Sequence, residues 1–281
     1  MSRNQDRLGG VQQHDTSAPT QAVANPGFAF VVPTEFVELP SGGKYYPPGH
    51  ALHGESAIEI KQMTAKEEDM LTSRTLLKKG VALDRVISSL IINKTIDPDS
   101  LLVGDRNAII VSTRVSAYGN DYTTKVACPA CGTTQEYSFD LNSANVYAGE
   151  DQHTVGVKDN NDGTFNVHLD RTKVDVTFRL LTGRDEKTFI AGTELDKKQK
   201  IDRNVTRQLS GMIVAVNGDH SAAAINYMVH NMPSADSRQL RLAYRLSSPN
   251  IDLTQHFECN ECSHDQDMEV PLNADFFWPD R

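Results

Sequence analysis

Cys128-Pro129-Ala130-Cys131 and Cys259-Asn260-Glu261-Cys262 use all four cysteines of a 281-residue chain, with residues 132–258 between them. Each first cysteine has apolar residues two and six positions upstream: Val126 and Tyr122 in one copy, Phe257 and Leu253 in the other. Each second cysteine is followed at six, eight and ten positions by Tyr137, Phe139 and Leu141, or by Met268, Val270 and Leu272. This alternation predicts a strand, a two-cysteine turn and a returning strand, written twice with one spacing. Two thiolates separated by two residues can face one ion from a tight turn, and two such turns complete a closed tetrahedral shell. Cys128, Cys131, Cys259 and Cys262 are therefore the expected ligands of one structural Zn2+, with no position left for a catalytic water.

The competing readings are two disulfides, or four unrelated thiols. The CxxC of a redox enzyme opens a helix in a βαβ unit, whereas these lie between strand patterns. His256 and His264 flank the second knuckle, but four sulfurs already fill the shell, so both are expected to support it or to lie on the surface.

The rest of the composition bounds the function. Hydrophobic residues make up 38% and charged residues 23%, within the range of soluble globular chains. The apolar clusters, such as Val86–Ile92, are broken by serines and are too short for a membrane span. The N-terminus has no basic-then-apolar leader, which predicts synthesis in the cytoplasm, where reduced thiols are available for metal. The net charge is −9, and Glu258, Glu261, Asp265, Asp267 and Glu269 crowd the second knuckle. Such local acidity repels a phosphate backbone, which disfavours the nucleic-acid role common among zinc ribbons.

Along the chain, residues 1–27 are polar and aperiodic, the pattern of a disordered arm or one that orders on a partner. A first α+β block is expected over 28–150. It has strands at Phe28–Leu39 and Ala57–Met63, a Thr64–Glu67 capping box opening a helix that runs to Gly80, and helices at Leu83–Ile92 and Asp105–Tyr118. A β insertion over 151–181 follows, with Val155–Val157 and Phe165–Leu169 flanking an Asp159–Gly163 turn and a third strand at Val174–Leu180. The last block, 182–281, reads as helices at Asp185–Ala191, Ile201–Val216, Ala222–Met232 and Asp236–Leu246 ahead of the second knuckle. The expected fold class is α+β: helical blocks with short β-hairpins, joined by a four-cysteine zinc ribbon.

A catalytic set does not emerge. Asp219-His220-Ser221 holds three suggestive residue types, but sequence neighbours cannot form the relay of a hydrolase, and no GxSxG elbow accompanies them. Gly42-Gly43-Lys44 lacks the first glycine and the following helix of a phosphate loop, and no HExxH or dinucleotide fingerprint is present. The Asp159–Gly163 turn lacks the acidic first ligand and closing Glu of a calcium loop. Two aromatic segments, Tyr45-Tyr46-Pro47-Pro48 and Phe276-Phe277-Trp278-Pro279, suit either burial under the ribbon or docking on another subunit.

Several runs carry a resemblance: Glu38-Leu39-Pro40-Ser41-Gly42-Gly43-Lys44-Tyr45-Tyr46-Pro47, Ser73-Arg74-Thr75-Leu76-Leu77-Lys78-Lys79-Gly80, Leu102-Val103-Gly104-Asp105-Arg106-Asn107, Tyr118-Gly119-Asn120-Asp121-Tyr122 before CPxCG, and the terminal Phe-Phe-Trp-Pro. Together they resemble the baseplate hub proteins of T-even-type contractile-tailed phages, over roughly residues 36 to 278. The resemblance implies a non-enzymatic structural part of the virion tail baseplate, assembled in the host cytoplasm in multiple symmetric copies against other baseplate and tail hub proteins. It also implies that the four cysteines are the metal ligands. The alternatives are a transient hub assembly chaperone, a nucleic-acid-binding zinc ribbon and a metal-dependent enzyme with an open coordination site.

Overall fold

The computed structural model describes residues 30–78, 80–271 and 274–277. The expected 1–27 arm and Leu272, Trp278 and Pro279 lie outside these residues. From Thr34 onward the chain is one compact unit.

The first strands, β1 (Thr34–Glu38) and β2 (Ala57–Lys61), form an antiparallel ribbon with Val37 opposite Ile58. Thr64 and Glu67 close the expected capping box at the start of α1 (Ala65–Thr72). That helix stops at Ser73, whose backbone is extended, and α2 (Arg74–Lys78) restarts it, so the single helix expected up to Gly80 is two. Next come α3 (Ala82–Leu90) and α4 (Val103–Tyr118), the latter ended by Gly119 at φ 82°. A 16-residue helix is about 24 Å long. Ala108, Ile109, Ile110 and Val111 are all buried, so the helix is enclosed on several sides.

The chain then enters the first knuckle hairpin, β3 (Asp121–Ala127) and β4 (Thr134–Asp140). Strand β5 (Asn145–Tyr147) waits for a distant partner. The Val155–Val157 strand is absent: Glu150–Val155 winds into a 3-10 turn between Gly149 and Gly156, both left-handed. The first strand of the next sheet is only β6 (Lys158–Asp159), followed by β7 (Thr164–His168) and β8 (Asp175–Arg179) around the expected Asp159–Gly163 turn.

Helix α5 (Gly183–Gln199) runs well past Ala191, because its charged outer surface hides the helical period that marks shorter amphipathic helices. The helix expected over Ile201–Val216 is α6 (Asn204–Met212) only. Ile213–Val216 turns into β9 and pairs with β8, burying Ile213 and Ala215 while Val214 and Val216 are half-buried. The β-branched run favours a pleated, half-buried surface over another helical turn. The antiparallel sheet β6-β7-β8-β9 thus takes its fourth strand from beyond residue 181, and the segment expected as an insertion is built into the helical block that follows it.

Helices α7 (Ala222–Asn231, capped by Ser221) and α8 (Ser234–Ser247) complete the helical part. Strand β10 (Asn250–Asp252) then pairs with β5, and β11 (Thr254–Glu258) with β12 (Asp265–Glu269) forms the second knuckle hairpin. Where the chain enters β10 it lies against the start of α4. A Cβ on Gly104 would stand 1.9 Å from the Pro249 carbonyl oxygen, so only glycine permits this approach.

Buried polar groups tie these elements together. Asp105 is fully buried and accepts from the Ser41 amide (3.0 Å), the Ser41 hydroxyl (2.6 Å) and the Tyr46 hydroxyl (2.7 Å), joining the Ser41–Gly43 turn to α4. Burial pushes its carboxyl above the usual carboxylate range, against the pull of these donors. Arg106 bonds Asp84 of α3 and Glu186 of α5. Glu67, also fully buried, takes bonds from Lys61, Ser89 and Thr64, fastening β2 and α3 to the start of α1.

Candidate metal centre

Both knuckle turns are built alike. The Cys128 amide donates to the Thr133 carbonyl and the Gly132 amide to the Cys128 carbonyl, at 2.9 and 2.8 Å. In the second copy, Cys259 donates to the His264 carbonyl and Ser263 to the Cys259 carbonyl, both at 2.9 Å. The residue after each second cysteine is left-handed, Gly132 at φ 75° and Ser263 at φ 52°. These shared turns aim both sulfurs of each knuckle to one side.

The four sulfurs meet. Cys128 Sγ lies 3.7 Å from Cys262 Sγ, Cys131 Sγ lies 3.8 Å from Cys259 Sγ, and all four fall within 4.8 Å of one another. A disulfide would require about 2.05 Å, so all four are free thiols. Metal–sulfur bonds of about 2.3 Å at tetrahedral angles put the sulfurs about 3.8 Å apart, the spacing found across the two knuckles. The first cysteine of each knuckle is buried and the second exposed, so the cluster sits at the rim of the core. The donor set and its dimensions fit a closed ion site, and the chain can hold a metal ion there.

The thiols do not share protons evenly. Hydrogen bonds from Thr133, through its side chain and its amide, draw the Cys131 thiol down to about 6. The His264 backbone bond also works to lower Cys262, but desolvation and the three neighbouring sulfurs outweigh it and push that thiol up to about 12. A dication brought among such sulfurs favours the thiolate form of all of them.

The hairpins are also clamped without metal. The Gln255 side-chain amide accepts from the Asp140 amide (3.1 Å) and donates to the Asp140 carbonyl (2.8 Å). Gln135 does the same in the other direction, donating to the Glu258 carbonyl and accepting from the Asn260 amide, both at 2.9 Å. Between these clamps Tyr137 packs on Phe257 with ring centres 5.1 Å apart and donates to the His256 carbonyl. Below them lies Arg114, fully buried, which donates to the carbonyls of Gly119, Asp121 and Phe276 and so ties the end of α4, the start of β3 and the C-terminal turn.

The structure therefore gathers all four expected ligands and leaves the two histidines out. His256 faces Asp267 at 3.7 Å, and His264 contributes its backbone to the turn. Phe276 and Phe277 are buried, with Phe276 edge-on to Tyr122, and Tyr46 is buried against His50, so these aromatic residues serve the chain's own core. Gln135, Gln255 and Arg114 were not legible as site residues. Their partners are backbone groups of distant segments, which carry no side-chain signature.

A search of curated proteins finds no match to the chain, and a search of solved structures finds none. A family model does: that of the T4 bacteriophage base plate protein matches residues 32–278, nearly the whole described unit and both knuckles. The chain belongs to this baseplate protein family.

Proposed function

We propose that the chain is a non-enzymatic structural component of a contractile phage tail baseplate hub, held in shape by one zinc ion on Cys128, Cys131, Cys259 and Cys262. Membership of the baseplate family across residues 32–278 is the observation that carries this reading. The four-thiolate geometry supports zinc, which such closed all-sulfur sites suit and which in them is structural. The ion's contribution is to hold two hairpins, one from the middle of the chain and one near its end, at one angle. Other baseplate subunits would then meet a surface whose shape does not drift.

Two measurements test the reading. Elemental analysis of the purified full chain is expected to give one zinc per molecule, and a value near zero would remove the metal. Quantitative mass spectrometry of purified tails is expected to find the chain in a fixed number of copies, seated in the hub in a cryo-EM map. Its absence from mature tails, with presence in assembly intermediates, would replace the structural role with that of an assembly chaperone.

A further inference from the structure

Two faces of this molecule carry charge that its own fold leaves unanswered, and the two have opposite sign. On α8, Asp236, Ser237, Leu240, Ala243 and Ser247 face inward, and the opposite side presents Arg238, Arg241 and Arg245 around Leu242. All four of these are exposed and line one groove together with Ile251 and Asp252. None of the three arginines forms an ion pair among the described residues. They recur at three and four residues, so they stand in one row about 10 Å long at 1.5 Å per residue.

The other face belongs to the second knuckle hairpin. Its inward side holds Phe257 and the half-buried Met268, while Glu258, Asp265, Asp267 and Glu269 alternate onto the outward side and are exposed. Glu258 stands directly opposite Asp265 in the register, a like-charge pair that destabilises a hairpin unless a cation answers it. The nearest basic side chain within the hairpin is His256, beside Asp267. Asp265, Asp267 and Glu269 span the five residues of β12, four steps that make a row about 13 Å long at 3.3 Å per residue. It is slightly longer than the arginine row. Glu269 also lines the arginine groove, so the two faces are neighbours on one surface.

We infer that this surface binds a second copy of the chain, the arginine face of α8 in one copy receiving the acidic face of β11–β12 in the other. Neighbouring patches of opposite sign are what a two-fold axis requires, because each patch then meets its complement at the same time. The guanidinium and carboxylate groups can pair in bidentate fashion, and Leu242 and Ile251 add apolar surface to the same groove. The inference rests on the placement of charge and not on the metal or the baseplate role.

The test is sedimentation of the full-length, metal-loaded chain. Self-association is expected at about 50 mM salt and loss of it at about 0.5 M, since exposed charges are screened over a few ångströms at the higher concentration. The triple variants R238Q/R241Q/R245Q and D265N/D267N/E269Q should each weaken association at least tenfold, with unchanged thermal melting. An equimolar mixture of the two should associate more strongly than either alone, because each keeps the face the other lacks. A chain that remains monomeric up to about 100 µM at low salt, or an arginine variant that associates as the natural chain does, would overturn the inference. So would a monomer whose arginine row instead retains a single-stranded oligonucleotide.

Discussion

Ser263 occupies a backbone conformation, φ 52°, that the equivalent residue of the first knuckle, Gly132, reaches without a side chain. Left-handed backbone costs a non-glycine residue on the order of 1 kcal/mol. Nothing lies within 4 Å of a Cβ placed on Gly132, so Gly132→Ala tests the backbone alone. It should lower stability by about 1 kcal/mol, read from the denaturation midpoint at constant metal, while Ser263→Gly should give a smaller gain. A loss of several kcal/mol from Gly132→Ala would mean that the turn had moved the sulfurs. Glu67 offers a second residue-scale prediction. Desolvation works to raise its carboxyl, but bonds from Lys61, Ser89 and Thr64 prevail and hold it down at about 2. The folded value lies below the unfolded one, so the stabilisation is complete above about pH 4.5 and is lost as pH falls toward 2. Glu67→Gln should cost about 2 kcal/mol at neutral pH, the scale of a charge-assisted bond, and should flatten the acid limb of the stability profile. An unchanged acid limb would assign the acid sensitivity to other carboxylates.

At the scale of elements, the two knuckle hairpins, the capping box of α1 and the Asp159–Gly163 turn were legible because each is a local pattern whose residues touch one another. What was not legible had non-local causes. Ile213–Val216 continues the apolar run of α6, and only the presence of β8 beside it makes it a strand. The Asp105 clasp joins residues 64 apart and the Arg114 node reaches 162 residues to Phe276, so neither leaves a trace in any short window. The Gln135 and Gln255 clamps belong to this class too, and they imply a particular response to metal removal. With the ion extracted by a chelator, the amides of β3–β4 and β11–β12 should lose hydrogen-exchange protection. The sheet β6–β9, which has Phe165, Val176 and Phe178 fully buried, should keep its protection. Gln255→Ala should enlarge the first effect, because the hairpins would then lack half of their metal-free clamp. Uniform loss of protection over both regions would make the ion essential to the whole unit instead of to the ribbon.

For the whole molecule, the ribbon closes a loop that contains nearly half of the sequence, residues 132–258. The segment between the knuckles holds the four-stranded sheet and helices α5–α8, and Arg114 fixes the C-terminal turn against the base of the first hairpin. Removing one sulfur from a closed four-thiolate site removes the site as a unit, because the remaining three leave the ion open to water and to competing ligands. Cys128→Ser should therefore abolish stoichiometric metal and lower stability by several kcal/mol, a large part of what holds a domain of ordinary stability. Cys259→Ser should do the same. The double variant then decides whether the two knuckles share one ion. If they do, Cys128→Ser with Cys259→Ser costs no more than either change alone, a strong departure from the additivity expected of independent sites. If the costs add, each knuckle stabilises its own hairpin, and the ribbon is held by the glutamine clamps and the Tyr137–Phe257 contact rather than by a shared ion.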